Sequence, residues 1–240
     1  MRRGGRGAAA ALAGVAASLA IAAPAAPAAE DFRLSRPAEH LWRWATVERA
    51  TPARRAPDRA APVVARLARR TPERTPEAVP LLARRSAGGR LWVRVRLPVL
   101  PNGTTGWVPR GALGGYETVR THLVIDLRAR RATLTRRGRT VLRTRVGIGK
   151  PKTATPRGHF MVRNRITGFT DPLYGALAFG TTARSATLTD WPGGGFIGIH
   201  GTDHPEQIPG RISHGCVRLR NRAIRRLDRR MRVGTPVTIR

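Results

Sequence analysis

Several kinds of residue are scarce in this 240-residue chain, and each scarcity narrows what it can be. There is one cysteine, Cys216, so the chain cannot staple itself with an internal disulfide. Lysine occurs only at Lys150 and Lys152, which leaves arginine to carry nearly all of the 45 basic charges. Acidic residues number only 14, giving a formal net charge of +31. Aromatics make up 5% of the chain, too few to build aromatic-rich cores. No GxGxxG or Walker pattern is present to cradle a phosphate, and no internal repeat suggests a solenoid.

A long hydrophobic run is missing too. Arg2, Arg3 and Arg6 precede an alanine-rich stretch from Ala8 to Ala23, shorter than the roughly 20 residues a membrane span needs. Ala26-Pro27-Ala28 follows as a small-residue cleavage site. Basic start, short apolar middle and Ala-x-Ala predict a signal peptide over residues 1–28 and an exported protein of the cell wall or extracytoplasmic space. Membrane attachment is expected only if that segment stays uncleaved. In such a compartment cysteines are usually paired, so a lone thiol calls for an explanation.

The charge alone names no ligand. The arginines are spread over the whole chain rather than gathered in a stripe, and no nucleic-acid-binding motif accompanies them. With an export signal, anionic wall polymers are the expected polyanion and nucleic acid is not.

Punctuation by Pro, Asn and Gly divides the rest into short strands. Trp42 and Trp44 sit two apart, on one face of a strand. Ala61–Leu67 reads as a strand, Arg69–Glu77 as a polar, proline-containing loop, and Leu91–Leu97 alternates cleanly before Pro101-Asn-Gly103 turns the chain back to Gly106-Trp-Val-Pro109. Trp-Val-x-Val, turn and Gly-Trp-Val resemble bacterial SH3-like domains. In a small domain Trp42, Trp92 and Trp107 are expected to fill the core. Beyond Tyr116, strands are expected at His122–Asp126, Ala132–Thr135, Thr140–Ile148, Gly158–Val162, Gly195–Ile199 and Val233–Ile239. One helix is expected, capped by Asn221, with Ile224, Leu227 and Met231 on one face.

The chemistry concentrates in Ile199–Leu219. A thiol of unperturbed pKa near 8.5 is only about 3% ionised at pH 7, so a nucleophilic cysteine needs a base. His200 and His214 are close in sequence, and an imidazole that takes the proton would hold the thiolate as an ion pair. Gly215, immediately before Cys216, lets the backbone present amides to a developing oxyanion. Arg218 adds positive charge.

This stretch resembles the catalytic signature of the L,D-transpeptidases, the YkuD-like family: a strand ending in His-Gly, a loop, then Ser-His-Gly-Cys-Val-Arg-Leu. Val146-Gly-Ile-Gly149, Thr155-Pro-Arg-Gly-His-Phe160 and the substrate-side loop Pro172-Leu-Tyr-Gly175 extend the likeness over about 120 residues. The resemblance implies Cys216 as nucleophile and His200 as base, with the Gly201 carbonyl orienting the imidazole. It also implies an oxyanion hole from amides around His214, Gly215 and Cys216, substrate contacts from Arg218, Ser213 and Tyr174, and no cofactor or metal. The implied partners are peptidoglycan stem peptides. The implied architecture is mainly β, with a small SH3-like β-barrel and its N-terminal linker over residues 29–115. A β-sandwich-type catalytic domain over 116–240 follows, with one helix after the nucleophile.

Rival readings remain open at this stage. Water as acceptor would make the site an L,D-carboxypeptidase, and a non-catalytic second unit would leave a wall-binding protein. His200, Asp203, His204, His214 and Cys216 could be drawn as a zinc site, but His200 and His204 flank Gly-Thr-Asp ahead of a proline and no second cysteine is available. His204 is expected on a surface loop, and Ser213 can equally serve its own turn.

Overall fold

A computed structural model describes Met1, residues 31–188 and residues 194–240. The expected leader beyond Met1, and part of the glycine-rich loop at 192–195, lie outside the described residues. The rest folds as two antiparallel-rich sheets and one helix.

The first sheet uses β1 (Phe32–Arg33), β2 (Trp42–Thr46), β3 (Thr51–Arg54), β4 (Val63–Leu67), β5 (Ala78–Ala87), β6 (Arg90–Arg96), β7 (Thr105–Pro109) and β8 (Glu117–Val119). Their order is β4-β3-β7-β6-β5-β2-β8, with β1 beside β5. No pairing among the described residues joins β4 to β8, so the sheet is an open path. Val93, Val95 and Leu97 alternate into an aliphatic core with Val79, Leu81 and Val108. Trp92 and Trp107 are buried, as expected of core residues, and Arg85 lies over the Trp107 ring at 5.4 Å. Trp42 and Trp44 share a face, as alternation requires, but are only half-buried and turn toward the second sheet.

That second sheet uses β9 (Thr121–Asp126), β10 (Arg131–Arg136), β11 (Arg139–Arg145), β12 (Gly147–Gly149), β13 (Gly158–Ile166), β14 (Ala178–Arg184), β15 (Phe196–His200), β16 (Gly210–Ser213), β17 (Val217–Arg218) and β18 (Pro236–Ile239). Their order is β11-β10-β9-β18-β13-β14-β15-β17-β12-β16. The single strand expected over Thr140–Ile148 is broken at Val146, which separates β11 from β12. These two strands lie near opposite ends of the path yet are one residue apart in the chain. The path must therefore fold back over itself, and Leu134, Leu142, Ile148, Phe179 and Val217 meet in one buried cluster. Each such side chain contributes on the order of 1.5–3 kcal/mol of burial.

The helix α1 (Asn221–Asp228) closes this core with Ile224 and Leu227, and Met231 just beyond it. Arg225 and Arg226 in its last turn complement the helix dipole. Asn221 is not its cap. The capping position is Arg220, which makes no side-chain cap bond, and the Asn221 amide is used across the site instead.

The two sheets meet along a seam. Arg163 of β13 forks onto Glu77, with Nε to Oε1 at 3.2 Å and Nη2 to Oε2 at 2.7 Å. Asn102 exchanges two hydrogen bonds with the Arg184 backbone. Trp44 lies against Gly234, where a Cβ would stand 2.1 Å from the indole at a φ of +88°, so only glycine fits there.

Candidate active site

β15 and β17 run parallel, with Ile199 opposite Val217 and His200 opposite Arg218. One step back along the same register places Cys216 beside Gly198, and the Gly198 amide donates to Cys216 Sγ at 3.3 Å. Residues 198 and 200 share a face of their strand. A Cβ on Gly198 would lie 3.7 Å from Sγ and 3.8 Å from His200 Cδ2, so the two side chains are separated by no more than the sum of those distances. Glycine at 198 keeps the space between them open. Both groups line the same two cavities, of about 30 Å³ and about 220 Å³.

His200 is 1% exposed. Its Nδ1 donates to the Gly201 carbonyl at 2.6 Å, which fixes the tautomer with the lone pair on Nε2. The ring packs at 5.2 Å against Tyr174, which in turn stacks on Phe169 at 4.8 Å. Burial, then the nearby Arg218 charge, lowers the His200 pKa to about 4, against the opposing pull of the Gly201 carbonyl and Asp171. Burial raises the Cys216 thiol above its ordinary value, and the Gly198 amide and Arg218 only partly offset this. Both shifts favour the neutral thiol and the neutral imidazole. Burial works against both charged forms of the ion pair expected from sequence, while the Arg218 charge opposes the imidazolium and favours the thiolate.

The turn carrying the nucleophile is braced from three sides. The Ser213 hydroxyl accepts from the Gly215 amide at 3.1 Å and donates to the Cys216 carbonyl at 2.6 Å. Ser213, 1% exposed, therefore spends its hydroxyl on the turn rather than offering it to a substrate. The same bond ties the Gly215 amide to the turn. Thr155 Oγ1 accepts from the Gly149 amide at 2.9 Å and donates to the Gly215 carbonyl at 2.8 Å. Gly215 itself has φ +123°, a conformation open to glycine.

Arg218, buried at 8% exposure, and exposed His214 line the smaller cavity with Cys216 and His200. Among the described residues Arg218 Nε has no hydrogen-bond partner. Tyr174 lines both cavities from the 3₁₀ turn Pro172–Tyr174. His204 is exposed and faces Glu206 at 3.2 Å and Asp203 at 3.7 Å, apart from buried His200.

Two contributors escaped the sequence reading. Asn221 Oδ1 accepts from the Ala176 amide at 3.0 Å while Nδ2 donates to the Thr202 carbonyl at 3.1 Å. It locks the turn bearing Tyr174 to the strand end bearing His200. Glu73, in the loop expected only to be polar, lines the larger cavity. The available signal was the rarity of carboxylates in so basic a chain.

A thiol and a tautomer-fixed imidazole facing shared cavities on a folded-over sheet define a cysteine–histidine enzyme site. The family model for the L,D-transpeptidase catalytic domain, YkuD, matches residues 120–239, and the chain belongs to that family. YkuD of Bacillus licheniformis is 32% identical over 123 residues, covering 51% of this chain and 67% of the relative. YkuD of Bacillus subtilis is 30% identical over 122 residues, with the same coverage. The solved catalytic domain of the E. faecium L,D-transpeptidase is 28% identical, covers 50% of this chain and 96% of that one, and superposes with a TM-score of 0.38. The chain spans about half of longer solved relatives, 48% in the Ldtfm–avibactam carbamoyl enzyme, at 27% identity over 50% of this chain and a TM-score of 0.41.

Proposed function

We propose that this enzyme is a peptidoglycan L,D-transpeptidase with Cys216 as nucleophile and His200 as general base. The reading rests on one observation above all: Sγ and the His200 ring flank the open space over Gly198, with Nδ1 already committed to the Gly201 carbonyl. In the first step Sγ bonds to the carbonyl carbon of the donor stem's L-centre as its proton passes to Nε2. The amide C–N bond then breaks, and the imidazolium returns the proton to the departing D-amino acid. In the second step an acceptor amine bonds to the thioester carbon, its proton passes to Nε2, and the C–S bond breaks to restore the thiol. Lowering the His200 pKa suits this cycle, because the base is free at neutral pH and its conjugate acid is a strong donor to the leaving amine. Backbone amides around His214 and Cys216 would serve as oxyanion donors, and Arg218, which lines the smaller cavity, would meet the carboxylate of the departing residue.

The same reading puts the protein outside the cytoplasm, after removal of residues 1–28, where stem peptides are found. It takes the first sheet as an SH3-like module by its Trp-Val-x-Val and Gly-Trp-Val strands. Incubation with a tetrapeptide donor should add one acyl group, mapped to Cys216 by intact-protein and peptide mass spectrometry. Cys216→Ala should add none. Acylation that persists in the variant would sink the assignment.

A further inference from the structure

The strand register cuts a trough that runs away from the thiol. Asn164 of β13 is opposite Gly180 of β14, and Gly180 is opposite Gly198 of β15, beside Cys216. Paired residues present their side chains on one face. The Asn164 side chain leans over Gly180, so the uncovered floor between it and the thiol lies at Gly198. A Cβ at Gly180 would stand 2.2 Å from Asn164 Oδ1.

The far end of the trough is closed by the other sheet's unit. Glu73 Oε2 accepts from Asn164 Nδ2 at 3.0 Å, and Asn164 is itself held by the Gly180 amide at 3.0 Å and by Thr75 Oγ1 at 3.2 Å. Glu73 is half-buried and lines the cavity of about 220 Å³ with Phe169, Tyr174, Gly198, His200 and Cys216. Among the described residues no arginine, lysine or histidine forms an ion pair with it. In a chain of net charge +31, a carboxylate fixed at a cavity wall without a cation is conspicuous. The cavity on the other side of Cys216 has the opposite character: among the described residues Arg218 and His214 line it and no carboxylate does. Charge polarity therefore runs across the catalytic pair.

Building on the transpeptidase reading, we propose that Glu73 docks the acceptor, a primary-amine-bearing peptide that is cationic at neutral pH, and draws it through the shared cavity, over Gly198, toward the thioester. At this distance the carboxylate gathers and holds positive charge but takes no proton. The deprotonated amine still forms the C–N bond at the thioester carbon, its proton going to His200 as the C–S bond breaks. The N-terminal unit thereby becomes part of the substrate site, favouring amine acceptors over water.

The test separates the two half-reactions in the full chain. Wild type and Glu73→Gln, which keeps an oxygen for Asn164, are acylated with a tetrapeptide donor. The acyl-enzymes are then challenged with increasing concentrations of a diamino-acid-bearing stem peptide. Acylation and hydrolysis rates should agree within about twofold, while the acceptor concentration for half-maximal aminolysis rises roughly tenfold in the variant. Glu73→Lys should raise it further, and added salt should weaken the acceptor's hold on wild type but not on Glu73→Gln. Normal acylation with unchanged acceptor dependence in both variants would overturn the role of Glu73 alone. Failure of wild type to acylate would overturn the Cys216 reading and this proposal with it.

Discussion

The two sheets differ in what they bury. The first hides aliphatic side chains and very few polar ones: Thr51, Thr71 and Glu77. The second buries Arg163, Asn164, Thr181, His200, Ser213 and Arg218 among others. A buried polar group costs stability unless it is bonded, and a buried charge costs more. Such groups therefore gather where a sheet has chemistry to position, and the second sheet satisfies them in a linked set around Cys216. Glu77, the one buried charge among the described residues of the first unit, is bonded to Arg163 of the second. Its carboxyl is pushed above the usual range by burial even with Arg163 beside it, so its burial is a cost that the docked arrangement must offset. The first unit is thus built to be joined.

Breaking that join should have the largest effect on stability. Glu77→Ala leaves Arg163, 1% exposed and stacked 3.8 Å over Phe196, as an uncompensated buried cation. The expected loss is about 3–5 kcal/mol. Replacing both partners, Glu77→Met with Arg163→Met, should recover most of it, because a desolvated pair is worth little more than apolar groups of similar volume. Urea denaturation of wild type and these two variants checks this, and a loss below about 1 kcal/mol in Glu77→Ala would show that the seam does not depend on the pair.

A second measurement sharpens the contrast from the active-site side. With its folded pKa lowered to about 4, His200 resists a proton that the unfolded chain accepts readily near 6.5. Its contribution is fully present above the unfolded value and is lost as pH falls from about 6.5 toward about 4. At about 1.4 kcal/mol per pKa unit, the loss reaches roughly 3 kcal/mol. The pH dependence of unfolding free energy should flatten by that order in His200→Gln between pH 7 and pH 4. Identical slopes in the two proteins would mean that the imidazole is solvated in the native state.

How much of this could be read beforehand follows from how far each feature reaches along the chain. His200 and Cys216 lie 16 positions apart within one motif, and the β10–β11 hairpin announces itself by alternation around Arg137-Gly138. By contrast β5, ten residues long and central, contains Pro80 and the run Leu81-Leu82-Ala83, so it carries no clean alternation. Residue types show which groups are near in sequence, while desolvation depends on what the fold lays over them. Glu73 and Glu77 look like ordinary loop residues until β13 is seen to pass beneath them. Asn221 was correctly placed at the helix start, yet nothing in its neighbourhood reveals that Gly175 and Gly201 would come to face it.

That last position makes the finest test of the difference between a residue that builds a sheet and one that aims a catalytic group. A Cβ at either Gly175 or Gly201 would come within 2.2 Å of Asn221 Oδ1, so the amide occupies a slot that both glycines leave open. Asn221→Ala strands the Ala176 amide and the Thr202 carbonyl, a cost of about 1–3 kcal/mol. The helix itself should survive, since alanine is a good helix former and Asn221 supplies no cap. What slackens is the link between the turn carrying Tyr174 and the carbonyl of Gly201, which holds His200 Nδ1. Enzyme-catalysed acylation by the donor should therefore fall by roughly tenfold, the penalty for a loosened base. Alkylation of Cys216 by a small neutral reagent, which needs no oriented imidazole, should change little. Parallel losses in both reactions would show that Asn221 merely supports the local fold.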